Sequence, residues 1–250
     1  MISKNQLKLI TSLSQKKFRD EHALFVAEGT KLVLDLLPSF DCELLFANAH
    51  WIKENKHRIK QIPEELSDDE LKRASNQKSP QGVLAVFRKN KTPFDIASIQ
   101  NKLSLALDDV QDPGNLGTII RIADWFGIEN IFCSMHSADA FSPKTVQATM
   151  GALARVNVHY VDLEEFLQSA QNITPLYGTF MDGKNIYQET LSSDGIIVMG
   201  NEGNGISKDI ASLVSKRLLL PNFPAGKATS ESLNVGVATA LVCAEFRRKL

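Results

Sequence analysis

Three short polar segments carry the residue types able to do chemistry. They are Asn115-Leu116-Gly117-Thr118-Ile119-Ile120-Arg121, Gly200-Asn201-Glu202-Gly203-Asn204-Gly205-Ile206-Ser207 and Ser232-Leu233-Asn234-Val235-Gly236-Val237-Ala238. Each lies where a strand-like run hands over to a helix-like one. In an open α/β sheet, ligands bind beyond the carboxyl ends of the strands, so three such segments can converge on one site. The glycines of the middle segment let backbone approach a ligand closely. Arg121 brings a planar guanidinium that suits a phosphate, and Glu202 brings a carboxylate. The set describes a pocket for a small cofactor beside an anionic substrate. Taken singly, each piece has a plainer role. Asp112-Pro113-Gly114-Asn115 is a turn sequence, Arg121 a surface cation, and Ser232 and Asn234 are helix caps.

Other chemistries are excluded by spacing. Glu202 stands where a GxGxxG dinucleotide loop needs glycine. A P-loop ending in Gly226-Lys227 would need Gly at 221 and Ser or Thr at 228, but the chain has Pro221 and Ala228. The five His show no metal-ligand spacing, and no metal is expected. Three distant cysteines, Cys42, Cys133 and Cys243, suggest no disulfide framework, so a reducing cytoplasm is the expected compartment. The first residues lack the apolar run of a signal peptide, and no apolar stretch reaches membrane-spanning length.

The elements that must position the motifs fall into two parts. Residues 1–20 read as a helix, with strands at 25–27, 44–47 and 83–87 and a helix at 29–37. The polar stretch near Pro93 marks a linker, which gives domains 1–92 and 102–250 joined by 93–101. In the second part, strands at 103–107, 130–133, 156–159, 175–179, 195–199 and 217–220 alternate with helices. That pattern predicts a mostly parallel sheet covered on both faces. A last helix over about 231–248 carries Leu233, Val237, Leu241 and Ala244 on one face. The net charge of −1 divides unevenly. Residues 1–90 hold 15 Lys and Arg against 12 Asp and Glu, and residues 91–250 hold 13 against 17. Lys4, Lys8, Lys16, Lys17 and Arg19 cluster near the start, which fits either a phosphate footprint or a solvated helix face.

In order, spacing and content, the three motifs resemble those of the SpoU (TrmH) family of RNA 2′-O-ribose methyltransferases, of the SPOUT superfamily. The stretches 13–19, 25–29 and 79–83 resemble that family's N-terminal substrate-binding domain. Gly236 and Asn222 depart from the usual Ser and Met. The resemblance implies an α/β protein: a C-terminal SPOUT domain with a parallel sheet and a deep trefoil knot, plus a small N-terminal L30e-like domain. It implies S-adenosyl-L-methionine as cofactor, held around Thr179, Gly200, Asn201, Gly203, Leu220 and Leu233. Catalytic roles fall on Arg121, Glu202, Ser232 and Asn234, and RNA contacts on Asn115, Lys16, Lys17 and Arg19. The expected partners are RNA and a second copy in a homodimer, with no membrane. Ribosomal RNA is the expected substrate, with transfer RNA as the alternative. A non-catalytic RNA-binding protein of ribosome assembly is the rival from another class. Family accounts give proton removal to the counterpart of Arg121. A guanidinium is a poor base, so the expected role is phosphate clamp and alkoxide stabiliser, with the proton leaving to a phosphate oxygen or water. On this reading, bulk added at Gly203 weakens cofactor binding, and neutralising Lys16, Lys17 and Arg19 together weakens RNA binding.

Overall fold

The computed structural model describes residues 1–89, 94–224 and 232–248. In chain order the first elements are α1 (Lys4–Ser12), α2 (Lys16–His22), β1 (Leu24–Glu28), α3 (Thr30–Leu36), β2 (Cys42–Ala47) and α4 (Ala49–Asn55). Next come β3 (Glu64–Glu65), α5 (Asp68–Ala74), β4 (Val83–Arg88), β5 (Leu103–Leu107), α6 (Pro113–Trp125), β6 (Asn130–Ser134) and α7 (Pro143–Thr149). The chain continues with β7 (Asn157–Val161), α8 (Leu163–Ala170), β8 (Leu176–Asn185), β9 (Gly195–Met199), α9 (Lys208–Leu213), β10 (Lys216–Leu219) and α10 (Val235–Arg247). These form two compact units. The first joins Met1–Lys91 to Asp139–Arg155, and the second joins Thr92–Ala138 to Val156–Leu250.

The first unit is built on a four-stranded sheet in the order β1-β4-β2-β3. Strand β4 runs antiparallel to both its neighbours, and all five residues of β1 are buried. The later segment completes this core: the Phe141 ring lies 4.9 Å from that of Phe25. The single helix expected over residues 1–20 is two helices. Leu13 is fully buried at the corner, and the Arg19 side chain donates to the carbonyls of Leu13 and Ser14, 2.8 Å each. One cation therefore satisfies the open end of α1, where carbonyls lack helical partners.

That arrangement places Arg19, expected among the RNA contacts, inside the unit. Its side chain is 3% exposed and pairs with Asp139 at 2.7 Å. Four of its five N–H donors are committed and the group is buried, which places it poorly to meet an RNA phosphate. Lys16 and Lys17 remain exposed.

The second unit carries a six-stranded, wholly parallel sheet in the order β10-β8-β9-β5-β6-β7. Strands β5 and β9 are buried along their whole length, as central strands of a sheet covered on both faces must be. Ala106, Phe132, Ile196 and Val198 pack with Phe166 and Leu167 of α8 and Ile210 of α9. Helix α6 contributes the buried Leu116, Ile119 and Ile120 and packs against α10. The Tyr177 and Phe246 rings meet edge to face at 4.8 Å and tie α10 to β8. Helix α6 starts at Pro113, inside the segment that reads as a turn. Asp112 accepts from the Asn115 amide and Pro113 occupies the first turn, so the apparent turn sequence is a helix start. Among the described residues no helix is long and apolar enough to cross a membrane, and no group of His, Cys, Asp and Glu is placed to hold a metal ion.

Candidate active site

At the carboxyl end of β9 the chain folds into a tight hairpin. Asn201 and Gly205 exchange both backbone hydrogen bonds, at 2.9 and 3.0 Å. Gly200 lies against the opposite arm: a Cβ there would stand 2.2 Å from the carbonyl carbon of Gly205. The Asn201 side chain fixes the rest. Its Oδ1 accepts from the amides of Gly203 and Asn204, and its Nδ2 donates to the Asp109 carbonyl at 2.8 Å. Glu202 is left at the tip, exposed.

The three sequence motifs are joined by a directed chain of hydrogen bonds. Asn234 caps α10 with its Oδ1, which accepts from the amides of Gly236 and Val237. Its Nδ2 then donates to Asn115 Oδ1 at 2.9 Å. Asn115 has only its Nδ2 left, and it donates to Glu202 Oε1 at 2.8 Å. The order is fixed by chemistry, because an ionised carboxylate only accepts. Cap, hub and carboxylate therefore hold one another in place. Gly236 has a steric reason as well. A Cβ there would come within 3.2 Å of the Thr118 side chain on α6, so the close fit between α6 and α10 favours its small size.

Beside this chain lies a cavity of about 430 Å³. One wall is Thr179, Phe180 and Met181, a second is Met199 to Glu202 with Gly205 and Ile206, and a third is Leu219 to Asn222. Ser232, Leu233, Val235 and Ala238 close it. The first wall comes from a slip in pairing. Strand β10 matches Lys216 and Arg217 to Tyr177 and Gly178, then Leu218 and Leu219 to Lys184 and Asn185. The intervening residues, Thr179 to Gly183, have no partner on β10, and the first three of them line the cavity. Such bulges re-aim side chains beside functional sites. Arg217 braces the outside of the bulge, stacking 3.4 Å over the Phe180 ring and pairing with Asp182 at 2.5 Å. That hydrogen bond holds the Asp182 carboxyl below the usual range.

The cavity is apolar with one charge. Glu202 is the only ionisable side chain lining it among the described residues. Its size falls within the range of small-molecule sites. Of the residues expected around a cofactor, Thr179, Gly200, Asn201, Leu220 and Leu233 line it and Gly203 does not. Of the expected catalytic set, Glu202 and Ser232 line it, and Asn234 reaches Glu202 through Asn115. Arg121 is outside. It lies six residues beyond Asn115 on α6, about 9 Å along the axis and turned about 120° around it. It is exposed, and among the described residues it has no hydrogen bond or ion pair. Phe180 and Met181 line the cavity without having been singled out from the sequence. The flanking Gly178 and Gly183 were the available signal. A Cβ on Gly183 would stand 2.5 Å from the Leu218 backbone, so the bulge closes only on glycine.

Comparison with known proteins gives this geometry a context. The SpoU rRNA Methylase family profile matches residues 102–244, and an MRM3-like substrate binding domain profile matches residues 4–85. The chain is 32% identical to the 23S rRNA (guanosine(2553)-2′-O)-methyltransferase RlmP of Bacillus subtilis, over 98% of this chain and 97% of that one. A solved TrmH-family structure from Porphyromonas gingivalis is 40% identical, with a TM-score of 0.88 and both chains covered in full. An AdoMet-bound rRNA methyltransferase from Sinorhizobium meliloti is 29% identical, with a TM-score of 0.86 over 100% of this chain and 97% of that one. Profile, full-length relative and solved folds agree with the three linked motifs, and the chain belongs to the SpoU rRNA methylase family.

Proposed function

We propose that this protein transfers the methyl group of S-adenosyl-L-methionine to a ribose 2′-hydroxyl in large-subunit ribosomal RNA. The observation that carries the reading is the Glu202–Asn115–Asn234 chain beside an apolar cavity with a single carboxylate. Apolar walls suit an adenine ring, and a lone carboxylate suits a ligand with a positive sulfonium. The cofactor supplies an activated methyl group when bound. Thr179, the Gly200–Asn201 backbone, Leu220 and Leu233 would hold it.

The protein's own residues do the positioning, which is most of the work for an activated electrophile. Asn115 ties Glu202 of the cofactor loop and Asn234 at the start of α10 to α6. Ser232 offers a hydroxyl at the cavity edge. Arg121 clamps an RNA phosphate and stabilises charge on the attacking oxygen, while the proton leaves to a phosphate oxygen or water.

The same reading includes a homodimer, a knotted C-terminal segment and an RNA-binding, L30e-like first unit, all in the cytoplasm. For the dimer, the support is an apolar face left in the open. Val237 and Leu241 on α10 are 51% and 40% exposed, and Trp125 on the adjoining α6 is 85% exposed. The face that carries Leu233, Val237, Leu241 and Ala244 is thus the outer one, since Val235, Thr239, Val242, Cys243 and Phe246 are buried. Leu241→Glu is expected to yield a monomer by sedimentation.

The activity is tested with purified protein, isotopically labelled S-adenosyl-L-methionine and an unmodified 23S rRNA transcript. Label is expected in one nucleoside, on its ribose by mass spectrometry. Label on a base would overturn the 2′-hydroxyl assignment. Cofactor binding without transfer to this RNA, or to transfer RNA, would favour the non-catalytic rival.

A further inference from the structure

Outside the cavity, the exposed positive charge of the first unit concentrates at the end of α4. Lys53 lies in the last turn of that helix, Lys56 and Arg58 in the 3-10 turn that follows, and Lys60 two residues on. All four are exposed, and among the described residues none has a hydrogen bond or ion pair. The one acid in the stretch, Glu54, faces His50 at 3.4 Å. The element beneath is anchored. Trp51 is 3% exposed and donates from Nε1 to Thr30 Oγ1 at 2.9 Å, and Asn55 Nδ2 donates to the Trp51 carbonyl. Anchors one turn apart leave the cations between and beyond them facing out.

The other exposed cations of this unit are scattered singly or share an element with acids. Helix α2 loses Arg19 to Asp139, and its Lys16 and Lys17 share the helix with Asp20 and Glu21. Helix α5 opposes Lys72 and Arg73 with Asp68, Asp69 and Glu70. Helix α1 carries only Lys4 and Lys8. Unpaired cations on an anchored element are the footprint of a polyanion, and an Arg among them adds a fork matched to phosphate. The competing account is helix stability, because cations near a helix carboxyl end complement its dipole.

We propose that Lys53, Lys56, Arg58 and Lys60 form the surface on which the first unit holds RNA phosphates. This rests on the reading of the chain as an RNA methyltransferase. The test uses the full chain and filter binding to a 23S rRNA transcript between 50 and 200 mM KCl, with the triple variant Lys56→Gln/Arg58→Gln/Lys60→Gln. Three lost phosphate contacts are expected to weaken binding about tenfold or more at 100 mM and to flatten the slope of log affinity against log salt by about two. Melting temperature and cofactor affinity are expected to stay at the parent's values. Lys72→Gln/Arg73→Gln is expected to keep the parental slope, as is the charge-conserving Lys56→Arg/Lys60→Arg. A triple variant with the parental slope overturns the surface while leaving the methyltransferase reading intact. So does weakened binding that tracks a lowered melting temperature, which assigns the charges to the helix. A parent that neither binds nor methylates the transcript overturns both.

Discussion

Arg121→Ala is expected to cut methyl transfer by about a thousandfold while leaving S-adenosyl-L-methionine affinity within about twofold. The two halves of that result come from different observations. Arg121 does not line the cavity, so its loss removes no contact with a ligand held there. It is exposed and unpaired among the described residues, so the fold loses little, within about 0.5 kcal/mol for such a surface site. What is lost is the one cation carried by the three motifs, on the helix that also presents Asn115. Loss of a cation that meets the developing alkoxide in the RNA complex costs on the order of 4 kcal/mol in the transition state. Arg121→Lys keeps the charge and loses the fork, so intermediate activity is expected from it. Single-turnover transfer to a 23S rRNA transcript, with calorimetry for the cofactor, checks both halves. Turnover by Arg121→Ala comparable to the parent's would remove Arg121 from the chemistry. A matching fall in cofactor affinity would move it to the cofactor side.

The motifs were legible because their chemistry is local. Asn201 organises its hairpin with its own neighbours, though the equally local helix start at Asp112 and Pro113 reads as a turn. The alternation of strands and helices gave the parallel sheet for the same reason. What was hidden depends on distant partners. Arg19 looks like a surface cation beside Lys16 and Lys17 until Asp139, 120 residues later, takes its guanidinium. The first unit is incomplete as a continuous stretch, since residues 139–155 return to pack on β1 and no local pattern announces that. The Thr179–Met181 wall exists only because β8 and β10 slip against each other. Helix α4 was missed because it holds to its unit through Trp51 and Asn55 alone, too few buried positions to show a period.

The largest effect expected within the cofactor loop is at Gly200, and it reverses the weight that sequence places on Gly203. Both glycines read alike as points of close backbone approach. In the folded loop a Cβ on Gly203 meets only Asn201 Oδ1, at an ordinary 3.6 Å. A Cβ on Gly200 would stand 2.2 Å from the Gly205 carbonyl carbon and 2.3 Å from the Ile206 nitrogen. Those are backbone atoms, and the reciprocal Asn201–Gly205 bonds hold them, so no side chain can swing away to relieve the overlap. For alanine to fit, the hairpin must open. Opening it removes the turn that Asn201 braces, carries Glu202 away from Asn115 and displaces Ile206 from the cavity wall. Gly200→Ala is therefore expected to weaken S-adenosyl-L-methionine binding by about a hundredfold or more, on the order of 3 kcal/mol. Gly203→Val is expected to stay within about threefold of the parent. Calorimetry on both variants, each with a native circular dichroism spectrum, decides between them. Parental affinity in Gly200→Ala would mean that the hairpin is not what shapes the cofactor site. A larger loss in Gly203→Val than in Gly200→Ala would mean that the ligand itself crowds Gly203.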